Sequence, residues 1–255
     1  MENLRIVLVE PAGALNVGAA ARVMQNMGLQ NLVLVSPRCD WQGPQARLLA
    51  VRGTILLEQA RVVSSLAEAV AGCQRVLGTA GRLDGGDRPV LGPAAGLAWV
   101  LAAPQGAVVF GREDRGLSNA ELRHCQQLLT IPTDPAYPSL NLAQAVAICG
   151  YQARQLTIAN PDPGDRGSQG ASDLLHCAPV ETMADFYQEL EALLLAAGYL
   201  YPHTAFRRME KLRQLGDRLA PTVEEASLLR GIVRQLTWAV RHSSGAERRG
   251  EGTQN

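Results

Sequence analysis

Through its first 156 residues the chain alternates short, uninterrupted apolar runs with segments of helical period. The runs are Arg5–Val9, Leu32–Val35, Val76–Thr79, Ala107–Phe110 and Leu128–Ile131. A strand with one wet face alternates apolar and polar residues, so continuous runs of this length are strands covered on both faces. Between them, Asn16–Asn26 reads as a helix ended by Gly28, a residue suited to the left-handed position after a helix. Ser118 and Glu121 stand at capping-box spacing, and Asn141 is placed to cap the apolar helix Leu142–Leu156. Strand–helix alternation of this kind predicts an α/β fold, a parallel sheet with helices on both faces.

The alternation stops at Asn160. Residues 160–172 mix Pro, Gly, Asp and Ser without apolar period and read as a linker. Beyond it only helices are expected, at Val180–Ala197, His203–Leu219 and Thr222–Arg241. The last opens with Thr222 and Glu225 at capping-box spacing, and Leu229, Ile232, Val233, Leu236 and Val240 recur at helical period. The polar stretch 243–255 is expected to be a disordered tail. The organisation is therefore a sheet domain over 1–159, the linker 160–172, a small all-helical domain over 173–242, and the tail.

With 255 residues, 47% of them apolar, the chain can bury a sizeable core. No stretch approaches the roughly 18 apolar residues of a membrane helix, and no basic start precedes a long apolar run, so a cytoplasmic location is the expectation. A formal net charge of zero argues against indiscriminate coating of nucleic acid but permits a local basic patch. Cys39, Cys73, Cys125, Cys149 and Cys177 are scattered and never form C-x-x-C, which supports neither a disulfide framework nor a metal site.

Candidate chemistry lies where strands end. Asn16–Arg22 follows the first strand. Its small residues either pack a turn against the sheet or let backbone approach a phosphate or ribose at a helix N-terminus. Arg22 lies two turns into this Ala-rich helix, a place where a long cation is unexpected unless it reaches something. Gly111 and Gly116 bracket Arg112, Glu113, Asp114 and Arg115. That segment is either a solvated turn with local ion pairs or a tightly curved loop shaped for a ligand. Thr79-Ala80-Gly81-Arg82 ends another strand, at the sheet edge where such folds bind ligands. Ile131 fits core packing and pocket lining equally.

Taken in order, Asn16–Arg22, Val109–Ser118, and Ile131-Pro132 with Ser139–Ala143 resemble the three signature motifs of the trefoil-knotted RNA methyltransferases, the SpoU/TrmH branch of the SPOUT superfamily. The resemblance covers roughly residues 4–156, with Leu15 standing where the family often has glycine. It implies a C-terminal trefoil knot in the sheet domain, an S-adenosylmethionine pocket, and Arg22 as the catalytic residue alongside Asn16, Glu113 and Asn141. It places Thr79, Ala80, Gly81, Gly111, Ile131, Pro138, Ser139 and Leu140 on the cofactor. RNA contact is expected from Arg22, Arg82 and Arg115. In the helical extension it is expected from Arg207, Arg208 and Lys211, within a local excess of three positive charges.

The extension, with Gly198-Tyr199 and Leu229–Val233, is most similar to transfer-RNA 2′-O-methyltransferases acting on cytidine or uridine at nucleotide 32. Because the family's knotted domains pair, a homodimer with the arginine of one subunit near the pocket of the other is implied. The alternatives are 2′-O-methylation of ribosomal RNA and a non-catalytic RNA-binding protein on the same fold. The absence of G-x-G-x-x-G disfavours a nicotinamide-dependent oxidoreductase.

Overall fold

The computed structural model describes residues 1–81, 90–159 and 177–250. The chain divides into two compact units at residues 175/176. In the first, seven strands form one sheet: β1 Leu4–Val9, β2 Asn31–Val35, β3 Arg61–Val63, β4 Arg75–Thr79, β5 Val90–Leu91, β6 Gly106–Phe110 and β7 Gln127–Leu129. Their order is β3-β2-β1-β6-β4-β7-β5, and every pairing is parallel.

Register explains the uninterrupted apolar runs. Ile6 faces Leu32 and Val108, and Leu77 faces Val108. These residues join Leu8, Leu34, Phe110 and Leu129 in one core with Val17, Leu97 and Val146. Those three come from α1 (Ala14–Met27), α5 (Pro93–Leu101) and α7 (Leu142–Ala159). The intervening Val7, Val33, Val76 and Val109 are also buried, on the opposite face. There the Arg5 guanidinium donates to the carbonyls of Ala69 and Ala71 at the end of α4 (Leu66–Val70), at 3.1 and 2.6 Å. Helices therefore cover both faces.

Strands β3 and β5 lie outside the expected set, since three and two residues carry no period. The small residues of α1 have a packing role. A Cβ on Gly18 would lie 2.1 Å from the Ala46 carbonyl oxygen of α2 (Pro44–Ala50), and Ala20 and Ala21 are wholly buried. α1 ends as expected, with Gly28 at a φ of 73°. Two further short helices, α3 Thr54–Glu58 and α6 Asn119–Leu122, complete the unit.

Strand β7 enters between β4 and β5, which are consecutive in the chain. The path that would make this a knot depends on residues 82–89. Those residues, Arg82 among them, lie outside the described residues, as does the linker 160–172.

The second unit holds α8 (Val180–Ala196), α9 (Pro202–Leu219) and α10 (Val223–Gly250). Phe186, Tyr187, Leu193, Met209 and Val233 form its core. Gly216 allows Tyr187 to cross, since a Cβ there would lie 1.9 Å from the Tyr187 hydroxyl, which donates to the Arg213 carbonyl at 3.2 Å. Arg230 of α10 pairs with Glu189 of α8 at 2.7 Å. The capping box at Thr222 and Glu225 is formed. Because α10 runs to Gly250, residues 243–250 are helical where composition predicted a disordered tail. Ala, Glu and Arg in that stretch favour helix and no proline interrupts it. Among the described residues no helix is long and apolar enough to cross a membrane.

Candidate active site

Neighbouring strands β1 and β6 lead in opposite directions, β1 through α1 to β2 and β6 through α6 to β7. A crevice opens outside their carboxyl ends at such a reversal, and there the loops after them meet. Glu113 accepts from the backbone N–H groups of Ala12 and Gly13 and from the Asn16 amide, each at 3.2 Å. The Asn16 carbonyl oxygen in turn accepts from the Asn141 amide at 2.9 Å. Asn141 also caps α7, its side-chain oxygen accepting from Ala143 N–H at 2.9 Å. One chain of hydrogen bonds thus joins the three sequence motifs. Burial pushes the Glu113 carboxyl up, but donors from Ala12, Asn16 and Gly13 outweigh it and hold the group below the usual carboxylate range. An ionised carboxylate tied at both oxygens is a clamp on the α1 entrance rather than a proton acceptor.

Arg112 is not part of a local pair. Its guanidinium takes Glu121 in a two-pronged contact, both bonds 2.9 Å, and also bonds Glu10. Glu10 itself meets Arg38. Glu10 follows β1 at a φ of 44°, in the left-handed region, and its N–H donates to the Val35 carbonyl at 2.8 Å. Glu121 serves twice, since it also closes the capping box on Ser118. Gly111 makes the loop possible, because a Cβ there would lie 2.2 Å from the Gly116 carbonyl carbon. Glu10, Arg112 and the dual role of Glu121 went unrecognised in the sequence. The only signal was the Ser118–Glu121 spacing.

This network gives a pH prediction. The hydrogen bond from Arg112 lowers Glu10. Burial raises Glu121, but bonds from Arg112 and Ser118 bring it down. With Glu113, three carboxyls sit below the ordinary glutamate value of 4.5. A depressed carboxyl stabilises the fold above its unfolded pKa and loses that contribution as pH falls through its folded pKa. The melting temperature should therefore hold near neutrality and drop below pH 4.5. Arg112→Met should destabilise by about 3 kcal/mol at pH 7, the low end for a broken buried pair because Glu10 keeps some solvent. It should also flatten the acid limb, and calorimetric melting from pH 3 to 7 reads both.

The expected cofactor residues converge on adjacent strands β6, β4 and β7. The Thr79 hydroxyl is engaged by the Val109 carbonyl (3.0 Å), and Ala80 N–H by the Leu129 carbonyl (2.9 Å). Gly81 is exposed, and among the described residues a Cβ there would meet the Pro138 carbonyl oxygen alone, at 3.9 Å. Thr133 holds that same carbonyl at 3.1 Å. Ile131 and Leu140 are half-buried, Ile131 packing on the core, while Ser139 is exposed. This lining of backbone groups and apolar side chains, with no charged side chain among its members, suits an adenosyl group, which can be read by main-chain donors and acceptors. Arg115 lies exposed in the 112–116 loop.

Arg22 stands on the exposed side of α1 and, among the described residues, makes no hydrogen bond or ion pair. Six residues beyond Asn16, it is about 9 Å further along the helix, and no bond connects it to the Glu113 cluster.

An open parallel sheet with a crevice of this kind defines a ligand-binding α/β protein. A family model described as SpoU rRNA Methylase family matches residues 3–151, and one described as tRNA methyltransferase TrmJ, C-terminal domain, matches residues 181–248. The tRNA (cytidine/uridine-2′-O-)-methyltransferase TrmJ of Salmonella choleraesuis is 38% identical over 239 residues, covering 92% of this chain and 97% of the relative. The enzyme of the same name from Escherichia coli O6:K15:H31 is equally similar, with 92% and 96% covered. Among solved structures, TrmJ from Z. mobilis ZM4 superposes with a TM-score of 0.76 at 32% identity, covering 91% of this chain and 98% of that one. The chain belongs to the SpoU methylase family and carries a TrmJ-type C-terminal domain.

Proposed function

We propose that this protein transfers a methyl group from S-adenosylmethionine to a ribose 2′-hydroxyl of transfer RNA, at cytidine or uridine 32 of the anticodon loop. The observation that carries this reading is the hydrogen-bonded chain Glu113–Asn16–Asn141, which gathers the motif residues at one crevice beside a lining suited to adenosine. The cofactor supplies an electrophilic methyl on a sulfonium. Thr79–Gly81, Gly111, Ile131 and Pro138–Leu140 bind it. Glu113, Asn16 and Asn141 position the α1 entrance. A guanidinium is a poor general base, so Arg22 orients the RNA phosphate and 2′-oxygen and stabilises developing oxyanion charge instead of taking the proton. Ribosomal RNA is the second reading, favoured only by the family model's description. The match of the helical unit to a TrmJ domain favours transfer RNA.

The reading includes a homodimer. On α1, Leu15, Ala19, Arg22 and Asn26 share one face, and Leu15 is 44% exposed. On α7, Ile148, Tyr151 and Ile158 form an exposed stripe. α1 packs on α7, so the two helices that carry these exposed residues and Arg22 are neighbours. In the proposed dimer a second copy packs on these helices and takes Arg22 into its own crevice.

The helical unit supplies a basic face. Arg207, Lys211 and Arg218 are exposed at helical spacing on one side of α9. Arg208 instead donates to the Tyr199 carbonyl at 2.9 Å and stacks on its ring. Replacing Arg207, Lys211 and Arg218 together by alanine should weaken transfer-RNA binding and reduce the slope of log affinity against log salt by about 2. Cofactor affinity should not change, and an unaltered slope in fluorescence titrations removes this face from RNA contact. The overall test is radiolabelled S-adenosylmethionine with unmodified transfer RNA, followed by mapping of the label.

A further inference from the structure

A cavity of about 330 Å³ lies beside the Glu113 clamp and is lined in part by Ala12, Arg38, Cys39, Asp40, Gly43 and Gln45. Its size is within the range of small-ligand sites, roughly 300–1,000 Å³. One wall is shared with the candidate active site, since Ala12 N–H is a donor to Glu113. The charges decide what it can hold. Arg38 is paired with Glu10, which leaves Asp40 as the uncompensated group of this lining. Among the described residues no donor is hydrogen-bonded to the Asp40 carboxylate. Its place is set by Gly43, where a Cβ would lie 2.2 Å from Asp40 Oδ2. An anionic lining disfavours phosphate or carboxylate and favours a neutral ring with N–H donors.

We propose that this cavity receives the pyrimidine base of the target nucleotide, with Asp40 accepting from the cytosine amino group and Gln45 adapting to either pyrimidine. The proposal rests on the RNA methyltransferase reading above. A carboxylate is the side-chain partner of the cytosine N4 amine. The Gln45 amide can turn to offer a donor or an acceptor, so it answers both cytosine and uracil. Bases of single-stranded loops are free to be splayed into such a site and read on their Watson–Crick edges. Asp40 and Gln45 are specificity-determining residues in this account, whereas the Glu113 cluster positions the helix entrance.

Cys39 provides a direct probe, because it is half-exposed in the cavity while the other four cysteines are buried. Burial, with Glu113 and Asp40 nearby, raises its pKa, so alkylation with iodoacetamide is run at pH 9 and followed by mass spectrometry. Unmodified transfer RNA with S-adenosylhomocysteine should slow Cys39 labelling at least about fivefold, and S-adenosylhomocysteine alone should leave it unchanged. Full protection by S-adenosylhomocysteine alone would assign the cavity to the cofactor and overturn the proposal. So would no protection when a gel shift shows transfer RNA bound.

In a second arm, Asp40→Asn should lower kcat/KM, mainly through KM, about tenfold more on transfer RNA with cytidine 32 than on the uridine 32 counterpart. Equal loss on both overturns the base assignment. Wild-type turnover on the cytidine transcript tests the underlying reading by itself. If it is absent, that reading fails. If it is present with equal losses, only the cavity assignment fails.

Discussion

Replacing Arg22 by alanine is expected to lower methyl transfer by at least about a hundredfold, the cost of losing one oxyanion-stabilising contact of roughly 3 kcal/mol. Affinity for S-adenosylmethionine should stay close to that of the unchanged protein. The separation follows from where the residue sits. Val17, Gly18, Ala20, Ala21 and Met24 bury the inner side of α1, while Arg22 is exposed on the outer side with no bond among the described residues. Alanine at an exposed helix position favours the helix, so a loss of turnover in this variant reads chemistry and not folding. Calorimetry of cofactor binding, beside single-turnover rates on unmodified transfer RNA, separates the two quantities. Turnover near the wild-type rate would take Arg22 out of the mechanism.

How far the sequence reveals this arrangement depends on the range of each interaction. β1, β2, β4 and β6 were legible because burial on both faces writes a continuous apolar run, whereas β7 is only half-buried at Gln127 and Leu128 and ends two residues before the run Leu128–Ile131 does. Arg61–Val63 and Val90–Leu91 were not, since their pairing partners and not their own residues make them strands. Gly28 was legible because its φ of 73° is one that few other residues adopt. Local rules also found the caps at Ser118, Asn141 and Thr222.

The site is a different case. Only resemblance grouped Asn16, Glu113 and Asn141 into one site, and nothing local says that their side chains meet across some hundred residues of chain. Arg112 was open to misreading in the opposite sense. Its neighbours Glu113, Asp114 and Arg115 suggest a short-range pair, but closure of the loop at Gly111 and Gly116 turns Arg112 toward Glu10 and Glu121. Glu113 is left to the amides of Ala12 and Gly13.

The strongest consequence of placing Arg22 on the outer face of α1 is that two inactive proteins should restore activity when mixed. One carries Arg22→Ala. The other must block the cofactor lining without harming the fold. Gly111 cannot serve, because any side chain there meets the Gly116–Leu117 backbone. Gly81 can, since among the described residues a Cβ there meets one atom within 4 Å, the Pro138 carbonyl oxygen. In the proposed twofold dimer each crevice would take its arginine from the other subunit, so a mixed dimer of Arg22→Ala with Gly81→Trp would have one crevice with both an open lining and an arginine. Its second crevice has neither. Random exchange makes about half of all dimers mixed, and each is half active, so recovery should reach about a quarter of the wild-type rate. If Arg22 served its own subunit's crevice, no combination of these chains would hold a complete site. Native mass spectrometry establishes that subunits have exchanged, and absence of recovery after exchange would place Arg22 in the same subunit as the cofactor it serves.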